Sequence, residues 1–305
     1  MFTSSAISRT AGLLTIRSGL FEASFNVKAG GRMSQLAHEV YGHVLVPMSD
    51  DPFDKQDWPR AGAFPLFPYH GRLKRAELVT EDQLFQLRGN PYRNGDAMHG
   101  PAQRRPWTIA NHSASVLSMS LEYEADEDWP YSFRAVQHFS ISDQRLDVTL
   151  SLLNRSARPS PAGMGWHPYF AVGSGVELFC DAHESWSLPT PGSKDDPTLT
   201  LLQSASFGID PQAKHLSKWS RASFAIPTGC VSLLRTSALE YLVLHRTEAY
   251  LCLEPVSHLS GALSLPSHLR TSAGIMELAP GEMMVGGVSI CVGRQPSSNN
   301  INEFQ

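Results

Sequence analysis

Three short segments of the chain carry residues that could transfer protons. They are Met98–Trp107, Gly163–Phe170 and Leu251–His258. Each places a histidine or a glutamate beside glycine or proline, which is typical of strand ends and turns, where functional side chains are often held. Histidine and glutamate are common general acids and bases, so the chemistry that these segments could perform is proton transfer. A lone residue of this kind is usually structural, and no single segment defines a site.

The elements that must position these residues are predicted to be β-strands. Short runs rich in β-branched and aromatic residues recur between turn residues, for example Val116–Tyr123, Ser132–Ile141 and Arg145–Leu153. Helical periodicity is scarce, and one short helix is predicted at His258–Leu265. We therefore expect an all-β fold, an antiparallel sandwich with few short helices.

The domain organisation follows from the absence of a linker. Residues 1–294 are expected to form a single catalytic domain, and residues 295–305 a polar and disordered tail. Two segments rich in proline and serine, Arg158–Pro161 and Pro189–Pro197, are predicted to be long loops.

Composition excludes several classes of protein. The 305 residues are 42% hydrophobic and 18% charged, with a net charge of −4, which does not favour a nucleic-acid partner. The sequence has neither a long apolar run nor a signal peptide, so we expect no membrane association and a cytoplasmic protein. The four cysteines are scattered, which favours free thiols.

No cofactor or metal is expected. His38 and His43 flank a glutamate, but their spacing is one residue too long for the zinc motif that places two histidines on one helical face. Gly173 and Gly175 lack the third glycine and the following helix of a dinucleotide site.

Taken together, His99–Gly100, His167–Phe170 and Glu254–His258, in this order and at these spacings, resemble the aldose 1-epimerase (galactose mutarotase) family. The similarity covers most of the chain, including Thr15–Leu36 and Phe64–Arg72. It implies a large antiparallel β-sandwich with a sugar site on an open face of one sheet. The all-β prediction made from the strand pattern agrees with it.

The resemblance also implies the chemistry. An aldose ring is a hemiacetal, and exchange of its anomers requires a base at the C1 hydroxyl and an acid at the ring oxygen. By resemblance, Glu254 is the base and His167 the acid, with His99 as a second histidine near the ring oxygen. We expect the nearby carboxylate to raise the pKa of His167, so that its imidazole is protonated. Either histidine could hold the acid role.

The residues that the resemblance implies in sugar binding match the family's pattern less closely than the catalytic residues do. Arg72 matches the family's arginine, and aromatic residues such as Trp166 and Tyr169 could stack on the sugar. Where the family has asparagine before this arginine, the chain has Gly71, so His70 could supply the missing hydrogen bond.

The family's sugar-binding aspartate has more than one candidate. If the Leu-Ser-Lys-Trp stretch after it sets the register, Lys214 or His215 takes its place; otherwise Asp210 is the acid.

A basic cluster raises an alternative substrate. Seven cations lie within a short stretch of the chain: Arg72, Lys74, Arg75, Arg88, Arg93, Arg104 and Arg105. If several arginines converge near Glu254, the protein would be a hexose-6-phosphate mutarotase of the same fold. A sugar-binding homologue without turnover is a further alternative. The partner in each case is a small sugar, bound by a monomer or a homodimer.

Overall fold

The alternation seen in the sequence forms strands throughout the chain. In Arg145–Asn154, residues with buried side chains alternate with residues that are half-buried or exposed, because successive side chains of a strand point to opposite faces of a sheet. The computed structural model describes residues 13–80, 83–172, 175–188, 197–203, 206–207 and 212–294.

The first strands are β1 Leu14–Ser18, β2 Phe21–Asn26, β3 Arg32–His38, β4 Gly42–His43, β5 Ala63–Leu66, β6 Arg72–Leu73, β7 Glu77–Val79, β8 Leu84–Gln86 and β9 Ala97–Met98. The next are β10 Thr108–His112, β11 Val116–Tyr123, β12 Phe133–Ser142, β13 Arg145–Asn154, β14 Ser160–Ala162, β15 Gly165–Phe170, β16 Leu178–Cys180, β17 Glu184–Ser187 and β18 Thr198–Leu201. The last are β19 Ser206–Phe207, β20 Gln212–Ser217, β21 Arg221–Ile226, β22 Gly229–Ser237, β23 Tyr241–Arg246, β24 Leu251–Val256, β25 Met276–Leu278 and β26 Met283–Gly293.

Helical structure in the described ranges is short. It consists of one α-helix and four 3-10 turns, α1 Ser267–Arg270 and Lys74–Ala76, Pro91–Arg93, Ala102–Arg104 and Ala262–Ser264. No helix in this part of the chain has the length and apolar character needed to cross a membrane.

The strands form two large antiparallel sheets, which confirms the predicted fold class. The first sheet has the order β1-β2-β3-β5-β15-β24-β23-β20-β17-β18, with β4 paired to β3. The second has the order β10-β11-β12-β13-β26-β22-β21-β16-β19. Because strands that are distant in the sequence become neighbours, the first sheet brings β5, β15 and β24 side by side.

The main core lies between the two sheets. Phe25 packs against Phe139 and Phe170 against Phe224, with ring centroids 4.8 and 5.1 Å apart. A smaller apolar cluster occupies the opposite face of the first sheet and includes Phe64. Since both faces are covered, β15 and β24 are buried along their whole length, and polar groups on their outer face are removed from bulk water.

Two local predictions differ from the structure. The helix predicted at His258–Leu265 is a 3-10 turn at Ala262–Ser264, because Gly261 adopts a left-handed conformation (φ 79°) and Pro266 follows closely. Part of the loop predicted at Arg158–Pro161 belongs to β14, which pairs with β25. The predicted tail, and residues 189–196 of the second predicted loop, lie outside the described residues.

Candidate active site

The strand register places His167 opposite Glu254. Gly165 pairs with Val256 and Tyr169 with Cys252, so the residues midway between them face each other across β15 and β24. Directly paired residues of antiparallel strands have side chains within contact distance. The Nε2 atom of His167 lies 3.3 Å from Oε1 of Glu254.

The imidazole of His167 is held between two aromatic rings. Phe64, its partner on β5, stacks on one side with centroids 4.6 Å apart. Tyr169, two residues further along β15, stacks at 4.7 Å. This packing fixes the ring plane and directs Nε2 towards the carboxyl group of Glu254.

Burial controls the protonation of this pair. It raises the pKa of Glu254 to about 8 and, together with the positive charges nearby, lowers the pKa of His167 well below its usual value. This corrects the expectation that the carboxylate would raise the pKa of His167, since desolvation outweighs the attraction of the carboxylate. Near neutral pH the two groups hold one proton between them.

His99 is the second histidine of the site, and its ring centroid is 5.5 Å from that of His167. Its left-handed backbone (φ 61°) is uncommon for a residue with a side chain and is often found at functional sites. The backbone N–H of Gly71 donates a hydrogen bond to Nδ1 of His99 at 3.2 Å, so the proton of the neutral ring is on Nε2. Burial, and then the charges of Arg72 and Arg93, lower the pKa of His99 to about 3. His99 is therefore a neutral hydrogen-bond donor at physiological pH.

His70, in the turn that precedes β6, and Arg72, the first residue of β6, reach the same site. Asp96 accepts a hydrogen bond from Nη1 of Arg72 at 2.7 Å and orients its guanidinium. Nε2 of His70 donates to the backbone oxygen of His258 at 2.6 Å. Nδ1 of His70 is buried and has no partner among the described residues, which leaves it as an acceptor.

His258 fastens this turn to the strand that carries Glu254. Its Nε2 accepts the backbone N–H of His70 at 3.2 Å, and its Nδ1 donates to the oxygen of Leu259 at 2.9 Å. Burial lowers the pKa of His258 to about 4, which keeps the ring neutral as these two bonds require.

The hydrogen bonds between His258 and the turn at His70 depend on the absence of a side chain at Gly163. A Cβ atom there would lie 2.1 Å from Cδ2 of His258. Gly163→Ala is expected to lower the free energy of unfolding by about 2 kcal/mol or more, because the overlap displaces a buried and hydrogen-bonded ring. Denaturant unfolding measures the change, and Gly293→Ala, where a Cβ atom meets nothing within 4 Å, is the matched control. Equal stability of the two variants would contradict this role of Gly163.

Arg32 packs against the site through the ring of Phe64. Sequence analysis did not identify this residue. Its guanidinium is fully buried and lies 4.2 Å from the centroid of Phe64, the ring that stacks on His167. Nη2 donates to Oε1 of Gln103 at 3.0 Å, and none of the described carboxylates pairs with it. Burial lowers the pKa of Arg32 to about 9, so it remains a cation that opposes protonation of His99 and His167.

These groups open into a cavity of about 790 Å³, within the usual size range of small-molecule sites. The predicted site residues on its wall are His70, Arg72, His99, His167, Tyr169 and Glu254. Three further residues that the sequence did not single out are Trp58, Arg60 and Tyr250. Aromatic rings, titratable groups and cations therefore share one cavity.

Some predicted contacts lie elsewhere. Trp166 does not reach the cavity; its ring is fully buried between the sheets, because it points to the opposite face of β15 from His167. Asp210 lies outside the described residues. On β20, the side chain of Lys214 is exposed, whereas His215 pairs with Val243, the partner of Glu254.

The basic cluster divides in the structure. Arg72, Lys74 and Arg93 line the cavity. The other four cations form ion pairs with carboxylates outside it: Arg75 with Glu77, Arg88 with Glu127, and Arg104 and Arg105 with Asp128.

The fold and this cavity define a class of antiparallel β-sandwich proteins with a buried histidine–glutamate pair on the outer face of one sheet. Residues 13–194 match the model of the aldose 1-epimerase family. The chain belongs to that family.

Relatives of known structure share the fold across nearly the whole chain. A protein of Escherichia coli K12, provisionally called an aldose 1-epimerase, superposes with a TM-score of 0.79 at 22% identity, covering 92% of this chain and 99% of that one. A galactose mutarotase-like protein of Clostridium acetobutylicum gives a TM-score of 0.78 at 18% identity, covering 92% and 94%. In sequence, the chain is 25% identical to the uncharacterized protein YphB of Escherichia coli K12 over 253 residues, 76% of this chain and 84% of that protein.

Proposed function

We propose that this protein is an aldose 1-epimerase, which interconverts the α and β anomers of an aldohexose by opening and closing the sugar ring. The observation that carries the proposal is the 3.3 Å contact between Nε2 of His167 and the carboxyl group of Glu254, buried on the wall of the cavity. Membership of the aldose 1-epimerase family supports it.

The single proton held by this pair suits both halves of the reaction. Its transfer from Glu254 to His167 gives a carboxylate and an imidazolium without changing the net charge. The carboxylate then removes the proton of the C1 hydroxyl while Nε2–H of His167 protonates the ring oxygen. The C1–O5 bond breaks and the C1 carbonyl forms. Rotation of the aldehyde and reversal of the two transfers yield the other anomer.

The surrounding residues orient the sugar. His99, a neutral donor through Nε2, is placed to donate a hydrogen bond beside the ring oxygen, and Arg72 donates to hydroxyl groups. Nδ1 of His70 accepts a hydroxyl proton in place of the family's asparagine. Tyr169 offers an aromatic surface to the C–H face of the sugar. The proton transfers balance without an electron acceptor, in keeping with the prediction that no cofactor is needed.

We further propose that residues 1–294 act as one catalytic domain. The first sheet takes strands from β1 to β24, and the second takes strands from β10 to β26. Because both sheets draw on most of the described chain, a division into two independent domains is not expected.

Polarimetry on freshly dissolved α-anomers of glucose and galactose tests the function. Catalytic amounts of the protein should accelerate the change in optical rotation of at least one aldose. If neither these sugars nor their charged derivatives are accelerated, while thermal shift shows that a sugar binds, the protein is a sugar-binding homologue and the proposal fails.

The pH profile tests the shared proton. Because the pKa of Glu254 is about 8, the free protein should lose this proton above pH 8, leaving a carboxylate and a neutral imidazole without an acid. We expect kcat/KM to fall about tenfold per pH unit above pH 8. NMR exchange rates corrected for the uncatalysed reaction give this profile, and a constant value from pH 7 to 10 would contradict the shared-proton mechanism.

A further inference from the structure

Arg32 belongs to a row of four side chains that crosses the first sheet and ends at the His167–Glu254 pair. The pairing of Met33 with β5 sets Arg32 opposite Phe64. Phe64 pairs with His167 on β15, and His167 faces Glu254 on β24. Because directly paired residues lie on the same face of a sheet, a guanidinium, an aromatic ring, an imidazole and a carboxyl group follow one another along the outer face.

The contacts along this row are close. Cζ of Arg32 lies 4.2 Å from the ring centroid of Phe64, a distance typical of a cation–π contact. The other face of the row is closed by Phe53, whose ring centroid lies 4.9 Å from the same atom. Phe64 stacks on His167 with an angle of 26° between the two ring planes. A single aromatic ring therefore separates the cation from the imidazole.

The charge of Arg32 is buried and has no counterion among the described residues. Its side chain is inaccessible to water, and its partner is the neutral amide of Gln103. Nε and Nη1 have no hydrogen-bond partner in the described ranges. Since neither water nor a carboxylate screens this charge, it acts on the neighbouring imidazole more strongly than an exposed cation would.

The other groups near the pair carry either a neutralised charge or none. Lys74 is exposed, and the remaining cations of the cavity wall each contact Asp57 or Asp96, namely Arg60, Arg72 and Arg93. Burial lowers the pKa of the neighbouring histidines and raises the pKa of the phenols and the thiol, which keeps all of them neutral near pH 7: His99, His245, Tyr169, Tyr250 and Cys252. Within the described part of the chain, Arg32 is the buried cation beside the pair that no carboxylate neutralises.

We propose that Arg32 is a positioning residue for ring opening, which holds Phe64 against His167 and, through its fixed charge, restricts the His167–Glu254 pair to one proton. The inference rests on the proposed ring-opening function. A second proton would leave an imidazolium beside a neutral carboxyl group, with no base for the C1 hydroxyl. The adjacent cation disfavours this state because it repels the added positive charge. It also stabilises the pair after its last proton has left.

Arg32→Gln tests the effect of the charge, because glutamine is neutral and retains a polar group for Gln103. Without the cation the pair should keep its proton to higher pH. The midpoint of the alkaline decline in kcat/KM should therefore rise by about one pH unit. NMR exchange rates between anomers from pH 6 to pH 10 give the profile, and Arg32→Met replaces this variant if circular dichroism shows that it does not fold. A midpoint that stays at the wild-type value overturns the inference.

Arg246 of β23 provides the matched control. It is also buried, but it pairs with Leu251 of the main core and so points to the inner face of the same sheet. Arg246→Gln removes the same charge from the same sheet and should leave the midpoint unchanged. An equal shift in both variants would show a general effect of charge removal and would overturn the assignment to Arg32.

Phe64→Leu tests the alignment of His167. This variant keeps the cation but removes the ring that stacks on the imidazole. We expect kcat to fall about tenfold, because His167 loses its fixed orientation towards the reacting atoms, while KM changes little and the midpoint moves less than in Arg32→Gln. A kcat equal to that of the wild type would overturn the alignment through Phe64.

A titration of the sugar-free protein separates this inference from the proposed function. Carbon-13 NMR of the Glu254 carboxyl group follows its proton without turnover, and Arg32→Gln should raise this midpoint by the same amount. If aldoses are accelerated and the midpoint does not move, ring opening stands and the role of Arg32 is overturned. If the midpoint moves and no aldose is accelerated, the coupling of Arg32 to the pair is confirmed and the proposed function fails.

Discussion

Glu254→Gln is expected to slow catalysed mutarotation by about 10²–10⁴-fold, the usual contribution of a positioned general base. Glutamine has nearly the same shape but cannot accept the proton of the C1 hydroxyl. The fold should persist, because burial already favours the neutral form of this side chain. Sugar binding should change far less than kcat, since the base acts chiefly in the transition state.

The control is a chemically identical substitution outside the cavity. Glu240 is exposed and pairs with Arg235, so Glu240→Gln should retain the activity of the wild type. Polarimetry gives the rates, and thermal unfolding verifies that both variants are folded. If Glu254→Gln retained half of the activity, Glu254 would not be the base.

Acidification should destabilise the protein steeply before most of its carboxylates are protonated. His70, His99, His167 and His258 are buried, and the pKa of each is lowered mainly by desolvation. Below pH 6.5 the unfolded chain binds protons at these histidines and the folded protein does not, so stability is lost as the pH falls. Glu254 acts in the opposite direction, because its raised pKa means that the folded state holds a proton which the unfolded chain releases above pH 4.5.

The four histidines set against Glu254 leave about three protons, and His215, whose pKa burial lowers to about 4, adds a fourth. This balance corresponds to a loss of about 5 kcal/mol in the free energy of unfolding between pH 6 and pH 5. Denaturant unfolding at the two pH values measures it. His99→Gln should reduce the slope by about 1.4 kcal/mol per pH unit, whereas substitution of the exposed His268 should not alter it. A stability that does not change over this range would show that the buried rings are already protonated.

The strands were predictable because their physical cause is local. Alternation of apolar residues in Val116–Tyr123 and Arg145–Asn154 gives the buried face of each strand directly. The helix at His258–Leu265 failed because the left-handed turn at Gly261 overrides a weak periodicity. The opposite orientations of Trp166 and His167 follow from strand alternation, but which face of β15 carries the site depends on the packing of the two sheets.

Sequence analysis identified only those site residues that lie in recognisable motifs. His99, His167 and Glu254 were identified through the resemblance, and the structure brings them to one cavity. The sequence could not reveal how deeply they are buried, and burial is what reverses the expected pKa shift of His167. Arg32 and Arg60 were missed because isolated arginines carry no local signal of the rings and cavities that they approach.

The position of β26 in the second sheet has a consequence for biosynthesis. This strand, Met283–Gly293, lies between β13 and β22 although it is the last strand described. The two halves of the sheet therefore cannot join until residues 283–293 have left the ribosome. Until then, β13 and β22 present unpaired edges on which another chain could assemble. The nascent protein thus depends on β26 to close this sheet and to escape aggregation, and its many long-range pairings make that closure intrinsically slow.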